Sequence, residues 1–233
     1  MQVNSVLYRN GAIFFVATFA VVVLGFWPTY YSQPLSLKTT LLEFHGAAMT
    51  LWCLMLIGQA YLIRTNRRDL HRKIGKVSYV LAPAIVVIGF AVSQHALDGA
   101  RDVVPNYASI LLYILGAISL FGAFYVLAMC YRREPQVHAR FMVATVFPIY
   151  PAATDRLVGR LIGAPDDVFR LPQLAAWFTG DALLLALALW DYRWNRRLGV
   201  FALVFAIMAS YQAAIFIIAE RPFWKTFADW FLS

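Results

Sequence analysis

Seven apolar runs, each long enough to cross a bilayer, account for most of this 233-residue chain. A helix of about 20 residues, rising about 1.5 Å per residue, matches a hydrocarbon core about 30 Å thick. Because lipid offers no hydrogen-bond partners to the backbone, such segments fold as helices. The sequence therefore predicts an all-α, polytopic membrane bundle with seven transmembrane helices, formed as a single integral membrane domain over residues 1–233. The runs are 11–27, 41–63, 77–95, 108–130, 139–157, 173–190 and 198–219.

The composition and the placement of charge agree with a membrane protein. Charged residues make up 14% of the chain, whereas soluble domains average about 25%. The net charge of +8 does not indicate nucleic-acid binding, because 13 of the 20 basic residues fall on one side of the predicted bundle. By the positive-inside rule that side is cytoplasmic. We therefore expect a multi-pass protein of the cytoplasmic (inner) membrane with its N-terminus inside and its C-terminus outside.

The segment after the last run predicts a short amphipathic helix. Phe223, Phe227 and Trp230 fall at positions i, i+4 and i+7, with charged residues elsewhere on the helical wheel. Such a helix is typical of one that lies in the membrane interface. We expect it at the outer surface.

The four histidines are the candidate ligands, and helical rise sorts them by depth. His71 and His138 each follow a basic loop and open the next run, so they form an inner pair. His45 and His95 lie about 27 Å and about 28 Å from the inner ends of their runs, so they form an outer pair.

Two pairs of imidazoles at opposite faces of a bundle are typical of a membrane cytochrome with two b-type haems. A neutral imidazole is a good iron ligand, and the axial ligands set the haem potential. This pattern favours an electron-transfer protein whose cofactor is haem b or a metal ion. The alternative for His71 and His138 is that they are solvated or capping residues where a loop becomes a helix.

A polar cluster is predicted near the outer side, because charges at that depth normally pair inside the bundle. Its functional interpretations are that Arg156 binds a haem propionate, that a metal ion is held by His45 or His95 with Asp181, or that a substrate site is linked to proton transfer. The alternative is an ion pair between Arg156 and Asp181 that only joins helices. The predicted members are His45, Asp155, Arg156 and Asp181.

The stretch from His45 through Gln59 to Leu70-His71-Arg72-Lys73-Ile74-Gly75, followed by Tyr79, resembles a family of bacterial multi-pass membrane proteins classed as domain of unknown function 2306. The stretch His138-Ala139-Arg140-Phe141-Met142, with Arg156 18 residues after His138, is similar to that family's second motif, although Phe141 stands where the family has Trp. The resemblance covers about residues 40–160. It implies the fold but no function, and its motif positions are His45, His71, His138 and Arg156.

Two functions of different classes are compatible with the sequence, and neither fixes an enzymatic activity. The first is the redox protein that binds haem or a metal ion. The second is a non-enzymatic small transporter or an accessory subunit of a larger membrane complex, because transporters interrupt their spans with proline; this chain has Pro83, Pro148 and Pro151. The partners expected are the lipid bilayer and other membrane subunits or quinone.

Overall fold

The computed structural model describes residues 3–34, 39–98, 104, 106–163, 170–195 and 199–233. Within these residues the chain forms helices and turns and no strand, which confirms the all-α prediction. The helices are α1 Val3–Phe26, α2 Thr40–Arg64, α3 Arg68–Gly75, α4 Ser78–Asp98, α5 Tyr107–Cys130, α6 Pro135–Ala144, α7 Tyr150–Leu161, α8 Arg170–Asn195, α9 Val200–Ile218 and α10 Pro222–Phe231.

Six helical stretches are long and apolar enough to cross a membrane. They correspond to six of the seven predicted runs, and the chain is a multi-pass membrane protein. The stretches among the described residues are Asn10–Tyr31, Thr40–Arg64, Arg68–Asp98, Tyr107–Cys130, Leu171–Arg193 and Val200–Ile218.

The remaining predicted run, 139–157, is not one helix. It is divided into the ten residues of α6 and the twelve of α7, with turns over residues 145–149 between them. Pro148 and Pro151 explain the break, since each lacks the N–H that a helix needs and its ring clashes with the carbonyl four residues earlier. Pro151 is tolerated because it stands in the first turn of α7, where a helical N–H has no partner in any case.

α7 packs antiparallel to α8, and an ion pair from α6 to α8 continues the same register. Near the start of α6 an ion pair of 2.6 Å reaches the end of α8. Near the end of α7 a Cβ on Gly159 would lie 3.5 Å from a ring carbon of Pro172, at the start of α8. The matched positions along the helices are Arg140 with Asp191, Tyr150 with Gly180, and Gly159 with Pro172.

A close contact joins α1 to α7. A Cβ on Gly25 would lie 2.9 Å from the carbonyl carbon of Ala153, so only glycine allows this approach. Beyond Gly25 the helix widens into a π-helical turn, Trp27–Tyr31. Because Pro28 has no N–H, the Leu24 carbonyl lacks its helical donor. Arg160 of α7 donates to this carbonyl and to that of Gly25.

The centre of the bundle is aromatic. Trp52 of α2 is fully buried and meets the rings of Phe121 and Tyr125 of α5 edge-on, at centroid distances of 5.1 Å and 5.7 Å. Phe201 of α9 is also fully buried. These side chains hold α2, α5 and α9 around a common core.

The C-terminal segment forms the predicted helix, α10. Trp224 Nε1 donates to the Ala108 carbonyl at 2.8 Å, and the Tyr107 hydroxyl donates to Asp229 Oδ1 at 2.7 Å, so one face packs on the start of α5. Phe223 and Trp230 on the other face are 66% and 69% exposed. The aromatic face therefore remains available to lipid.

The α1–α7 contact gives a prediction about stability. We expect Gly25→Ala to lower the free energy of unfolding by about 1–3 kcal/mol, because the new methyl group would meet backbone atoms that cannot rotate away. The measurement is denaturant unfolding of the detergent-purified protein. Gly58→Ala is the matched control, since nothing lies within 4 Å of its Cβ position. Equal stability of the two variants would contradict the prediction.

Candidate functional site at the basic end of the bundle

We call the end at which Arg64–Lys76 and residues 131–134 lie the basic end. Asn66 adopts a positive φ of 62°, a conformation that asparagine tolerates better than most residues, and the chain reverses there into α3. In α3 the side chains of Arg72 and Lys73 are exposed, whereas His71 is partly buried. The short helix therefore turns its histidine toward the bundle and its cations toward solvent.

Gln59 of α2 holds His71 in place. The amide nitrogen of Gln59 faces two acceptors, the Nδ1 atom and the carbonyl oxygen of His71, the latter at 3.1 Å. The amide oxygen faces a donor, the Gly75 N–H, at 3.1 Å. The opposite orientation would place oxygen against acceptors and nitrogen against a donor, so this hydrogen-bond network fixes the amide.

His138 of α6 is held by the end of α5. Its Nδ1 atom lies 2.8 Å from the Ala128 carbonyl oxygen. The last carbonyls of a helix have no intrahelical donor, so His138 donates its Nδ1–H to this one. The Nε2 atom of the neutral ring then carries a lone pair.

His71 and His138 both lie at the basic end, each held by its own hydrogen-bond partner. We call these two residues the histidine pair. One lies on α3 and the other on α6, 67 residues later in the chain.

Further polar groups connect this site to the aromatic core. Ser78 Oγ donates to the Gly75 carbonyl at 2.6 Å and lies 2.9 Å from the Tyr125 hydroxyl. Tyr125 in turn contacts the ring of Trp52, whose Nε1 is buried with no hydrogen-bond partner in the described part of the chain. A chain of hydrogen bonds thus extends from His71 to the hydroxyl of Tyr125.

Sequence reasoning missed the strongest interaction near this site. Arg140 donates from Nε to Asp191 Oδ2 at 2.8 Å and from Nη2 to Oδ1 at 2.6 Å, and the two side chains are only 6% and 3% exposed. Arg140 also donates to the Gln136 carbonyl at 2.9 Å. In the sequence Arg140 contributes to the charge asymmetry that predicts topology and stands in the second motif, but neither identifies its partner. The available signal was an arginine within an apolar run, because such a charge needs a buried partner.

The charged residues predicted at the other end take other partners. Arg156 is 46% exposed, lies 3.4 Å from Asp155 and stacks on the Phe26 ring at 4.7 Å. Asp181 accepts a hydrogen bond of 3.1 Å from Gln212. Arg156 and Asp181 each pair with a polar side chain as expected, but the ion pair between them is not formed, and Arg156 does not point into the bundle.

The predicted outer histidines are also separate. His45 Nδ1 is buried and has no hydrogen-bond partner among the described residues. His95 is exposed on α4. In the described ranges, no group of three or more His, Cys, Asp or Glu side chains is arranged to hold a metal ion.

Comparison with known proteins returned no matching family model, no matching curated protein and no matching solved structure.

The buried ion pair gives a second prediction. We expect Arg140→Met to lower the free energy of unfolding by about 3–5 kcal/mol, because it removes both hydrogen bonds that Arg140 donates to the buried Asp191 carboxylate. Replacing both residues, as Arg140→Met with Asp191→Leu, is expected to cost less.

Asp69→Asn is the control for this measurement. It removes the ion pair of Asp69 with Arg72, whose side chains are 84% and 74% exposed. We expect a loss of at most about 1 kcal/mol. A loss for Arg140→Met no larger than for Asp69→Asn would show that the buried pair does not hold α6 to α8.

Proposed function

We propose that this protein is an integral membrane electron-transfer protein whose redox group, haem b or a metal ion, is bound by the histidine pair. The observation that supports this proposal is that two histidines from separate helices, each oriented by a hydrogen bond, lie at the same end of a multi-pass bundle. A single helix-end histidine needs no special explanation, whereas two at the same end of one bundle form a candidate ligand set.

His138 suits the role of a ligand. Histidines that bind metals almost always donate their other ring N–H to a carbonyl or carboxylate, which fixes the ring and raises its basicity. His138 makes such a bond to the Ala128 carbonyl. Its Nε2 lone pair would bind the iron or metal ion.

His71 fits only after a change in its neighbour. While the Gln59 nitrogen donates to Nδ1, the proton of a neutral His71 ring is on Nε2. Binding of a metal at Nε2 requires the proton on Nδ1 and therefore a half-turn of the Gln59 amide. That turn breaks the hydrogen bond from the Gly75 N–H to the Gln59 amide oxygen, so metal binding at His71 carries a cost in free energy.

A second group at the other end of the bundle is the further part of this proposal. His45 supports it, because its buried Nδ1 lacks a partner among the described residues. Arg156 is half-exposed and would bind an anionic substituent such as a propionate. A metal ion at this end would be bound by His45 or His95 with Asp181, whose Oδ1 accepts the hydrogen bond from Gln212.

We also propose seven crossings, with the N-terminus in the cytoplasm and the C-terminus outside. The register of α6 and α7 against α8 supports the seventh crossing, because the broken segment extends beside a helix that is itself long enough to span. The basic end would face the cytoplasm. We further propose kinship with the family named above and a location in the inner membrane.

Transport is the second candidate function, and the broken α6–α7 segment favours it. Transporters typically place discontinuous helices near mid-membrane, where the interrupted backbone lines a substrate site. The turns over residues 145–149 have this position between two short helices. A role as an accessory subunit would use the same segment for helix contacts.

An absorption spectrum tests the redox proposal. We expect the detergent-purified protein to have a Soret band and α peaks that appear on reduction, and metal analysis would detect a non-haem ion. His71→Ala and His138→Ala should each abolish the low-spin spectrum, because one axial ligand is lost.

The control for this experiment is Thr226→Ala, which truncates an exposed side chain on α10, at the other end of the bundle from the histidine pair. It should leave the spectrum intact. Elution volume and helix content of the variants would exclude unfolding. A folded protein with no haem and no metal would overturn the redox proposal and favour transport.

A reporter fusion tests the topology. Alkaline phosphatase, which is active only outside the cytoplasm, should be active when fused after Ser233 and inactive when fused after Arg133. The reason is that three further crossings separate these positions if α6 and α7 together span the bilayer. Inactivity at Ser233 would mean that the broken segment enters and leaves on the same side.

A further inference from the structure

A small groove lies between the start of α5, the start of α8 and the end of α9, opposite the basic end of the bundle. Its cavity volume is about 60 Å³. A cavity of about 150 Å³ holds a benzene ring, so this groove has room for roughly two or three heavy atoms of a ligand. Its polar lining residues are Asn106, Ser109, Gln173 and Glu220, and its apolar ones include Leu174, Trp177, Ile215 and Phe216.

Three polar side chains that line this groove make no hydrogen bond within the described part of the chain. Gln173 is only 8% exposed, yet its amide has no such partner, and the same holds for the Ser109 hydroxyl. Asn106 stands at the N-cap of α5, where asparagine commonly caps a helix, but its side chain makes no capping hydrogen bond. Because a buried amide without a partner costs free energy, these groups indicate a ligand that supplies partners.

The groove suits an uncharged group that both donates and accepts hydrogen bonds. Among the described residues that line it, Glu220 alone is charged, and Lys225 Nζ donates to its Oε2 at 2.7 Å. The amides and the serine hydroxyl each donate and accept. A ligand hydroxyl does the same, whereas a carbonyl only accepts and an ammonium group only donates. A hydroxymethyl group has the matching polarity and the matching size.

The groove opens onto lipid near the membrane interface. Phe216 on its wall is 56% exposed and belongs to the spanning helix α9, so its ring faces lipid. Trp224 of α10 donates to the carbonyl of Ala108, the residue before Ser109. The groove therefore lies beside α10, whose aromatic face is available to lipid. Amphipathic helices of this kind lie at the boundary between headgroups and acyl chains, so a lipid presents its headgroup at this depth.

We propose that this groove binds the hydroxylated headgroup of a membrane lipid, with Gln173 and Ser109 as the residues that hold its hydroxyl. The hydroxyl accepts from the Gln173 amide nitrogen and donates to Ser109 Oγ. The rings of Trp177 and Phe216, which meet edge-on at 5.8 Å, provide an apolar wall for the headgroup carbons. This inference goes beyond the function proposed above and does not depend on it.

Native mass spectrometry of the delipidated, detergent-purified protein tests the site with two matched lipids. Dioleoyl-phosphatidylglycerol has a headgroup with two hydroxyls. Dioleoyl-phosphatidylethanol has the same acyl chains and the same phosphate but no headgroup hydroxyl. We expect the first to bind about tenfold more tightly, because the second lacks two hydrogen bonds. Binding of phosphate at the basic end is the same for both lipids and does not affect this ratio.

Variants of the lining residues locate the preference. Gln173→Leu removes the amide at nearly constant size, and Ser109→Ala removes only the hydroxyl. Each should reduce the preference to about threefold or less, because one of the two hydrogen bonds is lost. Gln136→Leu is the matched control, since Gln136 is exposed at the start of α6, at the basic end. It should keep the full preference.

Two results would overturn the proposal. Equal binding of the two lipids, or binding of neither, would mean that the groove holds only water. A preference that survives both Gln173→Leu and Ser109→Ala would place the recognised hydroxyl elsewhere on the protein. Elution volume and helix content would exclude unfolding, and Ser109→Ala decides the test if Gln173→Leu does not fold.

Discussion

In a bilayer every backbone carbonyl must find its donor inside the protein, because lipid supplies none. Unbroken helices meet this requirement by themselves, but this chain interrupts its helices with proline and with short turns. At each of two interruptions a side chain supplies a donor. Arg160 donates to the carbonyls freed near Pro28, and His138 donates to a carbonyl at the end of α5. Some polar side chains of the bundle therefore serve to donate hydrogen bonds to backbone carbonyls.

The broken α6–α7 segment is held in the bundle by a side-chain interaction, the ion pair between Arg140 and Asp191. α6 has only ten residues, too few to be stable alone, and its turn forgoes regular helical hydrogen bonds. Arg140 fixes this short helix to α8 and α9 through Asp191 and through its position 6.0 Å from the centroid of the Phe201 ring. Because the pair is buried, it also fixes where His138, two residues earlier, can lie. Packing at the basic end thus determines the geometry of the candidate site.

The helices are predictable from the sequence, but the interruption of one of them is harder to predict. Apolar run length identifies helices in a membrane because backbone hydrogen bonding leaves few alternatives, and six runs correspond to spanning helices. The prediction of a continuous helix over 139–157 is wrong, because Pro148 and Pro151 divide this run. A hydropathy value is an average over a window of residues, so it does not show that a proline in the window lacks its backbone N–H. Both prolines were visible in the sequence as a feature that transporters share, and their effect on the backbone decides where the helix ends.

At the candidate site, the depth of each residue in the bundle is predictable from the sequence, but its side-chain partner is not. Helical rise places His71 and His138 at one end, since depth depends on residue count alone. Which side chains contact each other depends on the rotation of each helix about its axis and on which neighbouring groups compete for the same partner. A single sequence shows neither the rotation nor the competing neighbours. Asp181 therefore accepts a hydrogen bond from Gln212 and does not pair with Arg156, whereas Arg140 forms an ion pair with Asp191 of α8. For the same reason the contact between Gln59 and His71 could not be predicted from residue spacing.

A structural role and a ligand-binding role are compatible at His138. Donating to the Ala128 carbonyl uses Nδ1 alone, so the cap that stabilises the end of α5 also fixes the direction of Nε2. At His71, by contrast, the contact from Gln59 determines which nitrogen carries the proton. One histidine is thus oriented by a backbone group that cannot change its polarity, and the other by an amide that can turn. At the basic end, the hydrogen-bond partner of His71 can therefore change with the orientation of Gln59, whereas that of His138 cannot.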